Sequence, residues 1–458
     1  MGAGAVGLTL AGRLAQHGAR VTIFEEARRA ERMGSRAICM QRESLEIWAR
    51  LGIGEAVAAR GIQWRVGRTY FRGRELFRVE LPTHDEHFAP FVNISQSEVE
   101  ELLETRVSEL GVRIQRGYRF TGLVQDADGV DGTFETDAGQ ATHRFSHLVG
   151  TDGAHSTVRH AIGMAFEGYT FDDRFLIADI RAELPFSNER HFHFDPPWNP
   201  GRQVLIHPQP DGVWRIDWQV PPETDADAER TNGGLDRRIR AVVGDSTPYE
   251  LIWLTAYRFS QRVAASFRDR RVFLAGDAAH VMSPFGARGL NSGIADAENL
   301  AWKLATGAAL DSYDVERRTA ALDNLAATDA TMRFLAPHGR WRRAWRNLTL
   351  RLAPRSDWFR RGVNSGRLAE PAVYGPSSIV APDVALTDGG RLRDHIGHGF
   401  VLVVSRPLSI EPELPVVVIG PGSAYGDERA WLVRPDGYLA DSAPIDDATA
   451  AWVQRHSH

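Results

Sequence analysis

The stretch that decides the reading opens the chain: Met1 to Leu10, MGAGAVGLTL. Gly2, Gly4 and Gly7 stand in the order G-x-G-x-x-G. In that pattern the first glycine permits a tight turn, the second lets backbone approach a pyrophosphate, and the third lets the following helix pack close to a sheet. The next residues supply the helix: Leu8, Leu10, Ala11, Leu14 and Ala15 fall largely on one face, and Gly18 ends it. A short buried strand, Val21 to Phe24, then runs into Glu25, 18 residues beyond Gly7. A carboxylate there can accept hydrogen bonds from an adenosine ribose. Gly2, Gly4, Ala5, Val6, Gly7 and Glu25 are therefore candidate dinucleotide-binding residues, with Glu26 as the solvated neighbour.

In a doubly wound sheet the first strand is central, and here nothing stands in front of the glycine loop. Its loss would leave unpaired backbone groups on both neighbouring strands. The expectation is a first strand missing from the N-terminus through a truncated or mis-set start, unless another segment fills the slot.

The bulk numbers narrow the class. A chain of 458 residues has room for two or three domains, and 43% hydrophobic with 25% charged residues is ordinary for a soluble protein. A net charge of −5 argues against nucleic-acid partners. A single cysteine, Cys39, excludes an internal disulfide, a CxxC pair and a cysteine-rich zinc site. No apolar run reaches membrane-spanning length and no signal peptide is visible, so a cytoplasmic location without membrane is expected.

Three further elements carry chemistry. GSRAICMQRESLEIWARLG places Arg36 just before an amphipathic helix, and NISQSEVEELLETRVSELG offers Ser95 or Ser97 as a helix cap with Gln96 at the helix start. In HLVGTDGAHSTVRHAIG a buried strand ends in Asp152-Gly153, with Ser156 and Arg159 following. In RRVFLAGDAAHVMSPFGARGLNSGIADAENLAWKLATG the strand Val272–Ala275 ends in Gly276-Asp277, and a glycine-rich loop opens a long helix. Asp152 or Asp277 alone would be a turn residue, Arg36 or Arg159 alone a solvated one, and His280 a packed histidine.

Taken together, GAGAVG, TDGAHSTVR, LAGDAAH and PFGARGLNSG resemble, in order, the aromatic hydroxylases of the FAD-dependent monooxygenase class, the group containing para-hydroxybenzoate, phenol and hydroxyphenylpropionate hydroxylases. They span most of the first 310 residues. The resemblance implies that Gly2, Gly4, Gly7 and Glu25 hold the AMP half of FAD. Arg36 and Gln96 would reach the pyrophosphate and ribityl region. Asp152, Gly153 and Arg159 would belong to an element serving both flavin and nicotinamide. Asp277, beside Gly276, would bond a ribityl hydroxyl, and Pro284, Phe285, Gly286, Arg288, Gly289, Leu290 and Asn291 would lie along the flavin ring. The implied reaction is hydroxylation of a small aromatic substrate, phenolic or polyketide-like, by NAD(P)H and O2 through a flavin hydroperoxide. NADPH or NADH would bind transiently, since no second dinucleotide domain is present. Physics supports the placement: a carboxylate at a strand's carboxyl end sits where ligands bind in open α/β sheets, and a helix N-terminus stabilises the anionic reduced flavin. Arg288 departs from many relatives, and steering an anionic substrate and facing solvent both stand as readings of it.

The implied fold is α/β: a Rossmann-like FAD-binding domain of the para-hydroxybenzoate hydroxylase type (1–69, 91–165, 263–336) with an inserted β-sheet substrate domain (70–90, 166–262). A helical segment and linker (337–375) and a small thioredoxin-like domain without cysteines (376–458) complete it. VWRIDWQV alternates, with Trp214, Ile216, Trp218 and Val220 on one face and Val213, Arg215, Asp217 and Gln219 on the other. Which face meets the flavin cannot be read from the strand; Trp214 and Arg215 are the candidates. His191 and His193 in RHFHFD lack an evident third ligand, so outward histidines are expected and no metal. VVVIGPGSAYG near the C-terminus mimics a dinucleotide loop, but too little chain follows it. The basic, Trp-rich stretch 338–362 is expected to be a helix packed on the body. Rival readings are a same-fold flavin epoxidase, an antibiotic-modifying hydroxylase, or a truncated FAD-binding remnant without activity. A homodimer is left open.

Overall fold

Met1 and Gly2 occupy the slot where a central strand would run. The Gly2 N–H donates to the Phe24 carbonyl at 2.8 Å on one side. On the other, the Met1 amino group donates to the Val149 carbonyl at 2.7 Å, and the Thr151 N–H donates to the Met1 carbonyl at 2.8 Å. These two residues link a parallel pair, Thr22–Glu25 with Arg113–Arg116, to a three-stranded piece in which Val272–Leu274 lies between Leu148–Gly150 and Arg268–Asp269. Among the described residues no other segment enters the slot. This computed structural model describes residues 1–29, 37–81, 87–284, 286–335, 340–352, 381–408, 414–420 and 422–445.

The helix Ala5–Gln16 is buried on two sides, which is why its apolar positions wrap beyond a single stripe. Leu8 and Ala11 pack with Met40, Trp48 and Leu103, while Leu10 and Leu14 pack with Phe24, Phe273 and Leu300. Trp48 is fully buried, and its indole N–H donates to the Thr9 hydroxyl at 2.9 Å, removing the cost of an orphaned donor. The helices Gln96–Glu109 and Arg288–Thr306 flank this first helix.

An eight-stranded sheet forms the second layer, in the order His280–Val281, Glu250–Ala264, Phe166–Arg181, Val213–Val220, Gln203–Pro208, Arg190–Phe194, Val66–Phe71, Arg74–Glu80. It starts at Val66, ahead of the expected boundary at residue 70, and takes in His280–Val281 from the segment assigned to the FAD domain. One face carries Trp214, Ile216, Trp218 and Val220 against Leu235, Ile239 and Val243 of the helix Gly234–Val243. Trp214 therefore faces the helices, and of the two expected candidates only Arg215 lies on the inner face. That inner face rests on Cys39–Gln41 and Phe91–Asn93: Trp64, whose indole bonds Asn93 at 2.9 Å, lies against His207 and Arg190 in the same row as Arg215. His191 and His193 do not point outward: Tyr70 stacks on both, at 5.9 and 4.4 Å between ring centroids, and His191 is buried. Among the described residues no cluster could hold a metal ion.

The helices Leu310–Leu335 and Arg340–Leu352 follow. Trp341 and Trp345 on the latter are exposed, so the basic stretch packs only in part through Arg346, Thr349 and Leu350. A small unit then carries Val401–Val404 between Val416–Val418 and Arg429–Val433, with Leu439–Pro444 at the edge. Most of the expected linker lies outside the described residues.

Candidate active site

Three helices meet around the glycine loop, and at none does the N-cap side chain accept a hydrogen bond. The N-cap positions are Gly4, Ser95 and Ala287. Gly2 adopts φ +102°, and a methyl group there would lie 2.5 Å from the Thr151 carbonyl oxygen. At Gly7 a methyl would meet the Gly2 carbonyl oxygen at 2.1 Å and the Thr151 hydroxyl at 2.6 Å. The turn and the close helix approach thus depend on the absence of Cβ. Gly4 has only Glu100 near it, 3.7 Å away, so its outer side is open backbone.

Acidic residues gather round this loop. Glu25, at the end of its strand, accepts from the N–H of Ala3 at 2.7 Å and of Ala27 at 2.9 Å; Glu26 beside it is exposed. Glu100 accepts from the Ala5 N–H at 3.1 Å and from the Gln96 amide at 2.8 Å, so Gln96 reaches the loop through Glu100. Sequence reading missed Glu100, whose signal was its i, i+4 spacing from Gln96. Asp152 packs against Gly2 but spends its carboxylate locally, accepting from Ser156 Oγ at 2.6 Å and the Val158 N–H at 3.0 Å. Gly153 takes φ +79° in the same turn. Arg159 is buried; it donates to the carbonyls of Ala278 and Ala154, both at 2.9 Å, and lies 3.8 Å from the Phe166 ring centroid. It braces the two loops against each other rather than projecting into the cleft.

The Gly276 turn closes the third side. Gly276 and Gly293 both press on Val6, where a methyl would come within 3.0 and 2.7 Å. Asp277 is exposed beside them. Behind the turn, Asp296 accepts from the Gly276 N–H at 2.9 Å, from His280 Nε2 at 2.8 Å and from Arg317 Nε at 2.6 Å, all fully buried. Burial alone would raise its pKa, but Arg317, His280 and the Gly276 N–H hold it at about 2. This cluster is a clamp for the turn, and His280 works in it as a packed residue.

The loop before the long helix is fixed from the other side. Gly286 takes φ +90° and Ala287 φ +54°, a conformation that non-glycine residues rarely adopt. Asn291 holds it: its side-chain oxygen accepts from the Gln41 N–H at 2.9 Å and Ser44 Oγ at 2.7 Å, while its amide donates to the Cys39 carbonyl at 3.0 Å. Gln41 adds a bond to the Gly286 carbonyl at 3.0 Å. Gly289 has open space where a side chain would be, Leu290 packs on the first core, and Pro284 is exposed. Arg288 does not face solvent; it is buried and bonds Asn324 of the following helix. Arg36 and Phe285 lie outside the described residues.

This donor set fits FAD. Helix N-termini suit a pyrophosphate, Glu25 ends the strand beside the glycine loop, and the open face of Gly289 leaves room for a flat ring.

Comparison with known proteins agrees. Residues 1–328 match the family described as FAD binding domain. A 12-dehydrotetracycline 5-monooxygenase/anhydrotetracycline 6-monooxygenase of Streptomyces rimosus is 32% identical over 491 residues, covering 98% of this chain and 95% of its own length. A 3-(3-hydroxy-phenyl)propionate/3-hydroxycinnamic acid hydroxylase of Comamonas testosteroni is 33% identical over 348 residues, 74% of this chain and 58% of that protein. Among solved structures, OxyS anhydrotetracycline hydroxylase from Streptomyces rimosus matches with TM-score 0.79 at 28% identity, covering 100% of this chain and 98% of that one. The flavin-dependent monooxygenase PieE, solved with FAD and substrate, shares the fold with TM-score 0.80 at 22% identity, covering 100% and 97%. The chain therefore belongs to the FAD binding domain family, and it is an FAD-dependent monooxygenase of the aromatic hydroxylase type.

Proposed function

We propose that this enzyme hydroxylates an electron-rich ring of a polycyclic, polyketide-like substrate, using NAD(P)H and O2. The observation that carries the reading is the inner face of the eight-stranded sheet, where Phe71, Phe192 and Phe194 on one pair of adjacent strands and Phe175 and Phe259 on another join Leu350 in one apolar cluster. Its breadth suits a fused-ring substrate better than a single ring. Two relatives matched over 98% of the chain carry anhydrotetracycline monooxygenase activity by name, while one matched over all of it is a 3-(3-hydroxy-phenyl)propionate/3-hydroxycinnamic acid hydroxylase.

FAD, when bound, would supply the redox chemistry and activate oxygen. The chain's own part is binding and orientation. Glu25 and the glycine loop would hold the adenosine half, and Gln96 the middle of the cofactor. The first turn of Arg288–Thr306 would place partial positive charge beside the ring. Asn291 and Gln41 keep that turn aligned with the sheet above, and the sheet excludes water from the reacting face.

The test is product analysis. Purified FAD-loaded enzyme should consume NADPH or NADH faster with anhydrotetracycline or a related fused-ring phenol, and the product should carry one oxygen from labelled O2. Oxidation of NAD(P)H with hydrogen peroxide as the sole product, across such compounds and single-ring phenols alike, would refute the hydroxylation reading.

A further inference from the structure

The inner face of the sheet is ordered in rows. At the end nearest Cys39, pairing sets Asp179, Arg215 and His207 side by side, and the His191–Ile206 register brings Arg190 next in line. Arg215 is matched: it meets Asp179 with two bonds of 2.7 Å, and Gln209 donates to the same carboxylate at 3.1 Å. Arg190 is not. Among the described residues no carboxylate pairs with it, and its buried Nε has no acceptor. Its neighbours are ring faces, Trp64 at 5.7 Å and Phe192 at 5.8 Å. His207 beside it is buried, and its Nδ1 also lacks a partner. Desolvation and the two nearby guanidiniums keep that imidazole neutral. An unmatched cation in such surroundings is costly, and an incoming anion would offset the cost.

The row faces the reaction side of the cleft. The Trp64 indole donates to Asn93 at 2.9 Å, Asn93 pairs with Cys39, and Gln41 of the same strand holds the Gly286 carbonyl. The next row holds Phe192, Leu205, Asp217 and Ile177, and the one beyond it Phe71, Phe194, Gln203, Gln219 and Phe175. The face thus offers a cation at one end and phenylalanine rings along it, interrupted by Asp217, Gln203 and Gln219.

We propose that Arg190 is the specificity-determining residue of this cleft, and that its guanidinium, flanked by His207, receives the anionic oxygen of an acidic phenol or enol on a fused-ring ligand. The proposal rests on the hydroxylase reading for the identity of the ligand, and its test is therefore binding, not turnover. The FAD-loaded enzyme would be titrated at pH 8 with 2-hydroxyanthraquinone and with 2-methoxyanthraquinone, following protein and ligand fluorescence. The wild type should prefer the hydroxy compound. Arg190→Gln should weaken that compound by about 10- to 100-fold and change the methoxy compound by less than about twofold. Arg190→Lys, which keeps the charge and loses the planar fork, should lose only part of the preference. Melting temperature and FAD content verify that the variants fold, and if Arg190→Gln does not, the wild-type preference and the lysine variant decide. Equal affinity of the wild type for the pair, binding of neither, or equal weakening of both by substitution overturns the proposal. An intact hydroxy preference without ring hydroxylation of any phenol would leave Arg190's role standing and defeat the hydroxylase reading alone.

Discussion

Asp217 lies mid-sheet on the inner face, paired across the strands with Leu205 and Ile177. Among the described residues its Oδ1 has no hydrogen-bond partner. Burial raises its pKa to about 7; Arg215 opposes the shift and Asp179 adds to it. The folded value is above the ordinary carboxylate value, so the folded state binds more protons. Stability should accordingly fall as pH rises from about 4 to about 7, by up to about 1.4 kcal/mol per pH unit, and level off above. Asp217→Asn removes this dependence. The variant's stability relative to wild type should climb through that window, as measured by urea denaturation at a series of pH values. A difference independent of pH would show that the carboxyl titrates normally. Residues of this kind were not legible in the sequence. Asp217 was one polar position of an alternating strand, and Arg190 stood unremarked before His191 and His193, for which outward histidines without a metal were expected. Their lack of partners appears only when strands far apart in sequence are laid side by side. The glycine loop was legible because each glycine answers a local backbone demand.

At the scale of elements, the loop–helix junctions carry the cofactor site, and two glycines separate packing from binding. Gly7→Ala would force a methyl against the Gly2 carbonyl and the Thr151 hydroxyl. It should cost about 1–3 kcal/mol and most of the bound FAD. Gly289 stands in the helix Arg288–Thr306 with nothing within 4 Å of its added methyl. Gly289→Ala should therefore stabilise the flavin-free protein by about 0.5–1 kcal/mol through helix propensity. It should nonetheless lower FAD content, because the methyl would enter the space assigned to the ring. Differential scanning fluorimetry of the flavin-free form and the flavin absorbance of the purified protein check both halves. Undiminished FAD in Gly289→Ala would place the ring elsewhere. Helices and strands themselves were readable from periodicity. The choice of sheet face was not, since alternation treats both faces alike until the helix Gly234–Val243 covers one of them.

At the scale of the whole molecule, the C-terminal unit is legible as a separate set of strands, but its attachment is not, because charges tens to hundreds of residues apart make it. Arg13 binds Glu298 at 2.7 Å and donates to the Gly397 carbonyl at 2.7 Å. Tyr438 donates to Glu43 at 3.0 Å, and Asp436 accepts from Asn299 and Trp302 at 3.0 and 3.1 Å. At the centre Arg434 joins Glu316 at 2.8 Å and also meets Asp436, while Lys303 reaches Glu316 at 3.0 Å. Burial would raise the Glu316 pKa, yet Arg434, Lys303 and the Asn299 amide hold it at about 2. The stability drawn from it is present above about pH 4.5 and is lost as pH falls toward about 2. Arg434→Met would leave Glu316 and Asp436 without their shared cation, a change that typically costs about 3–5 kcal/mol for a buried pair. That exceeds what the remaining contacts of so small a unit can absorb without loosening. Calorimetry at pH 7 should then resolve a separate, lower melting transition for the C-terminal strands, while FAD content stays near the wild-type level because the glycine loop and the Asp296 clamp are untouched. A single transition shifted as a whole, with FAD lost in parallel, would mean that the C-terminal unit and the flavin fold melt as one cooperative body.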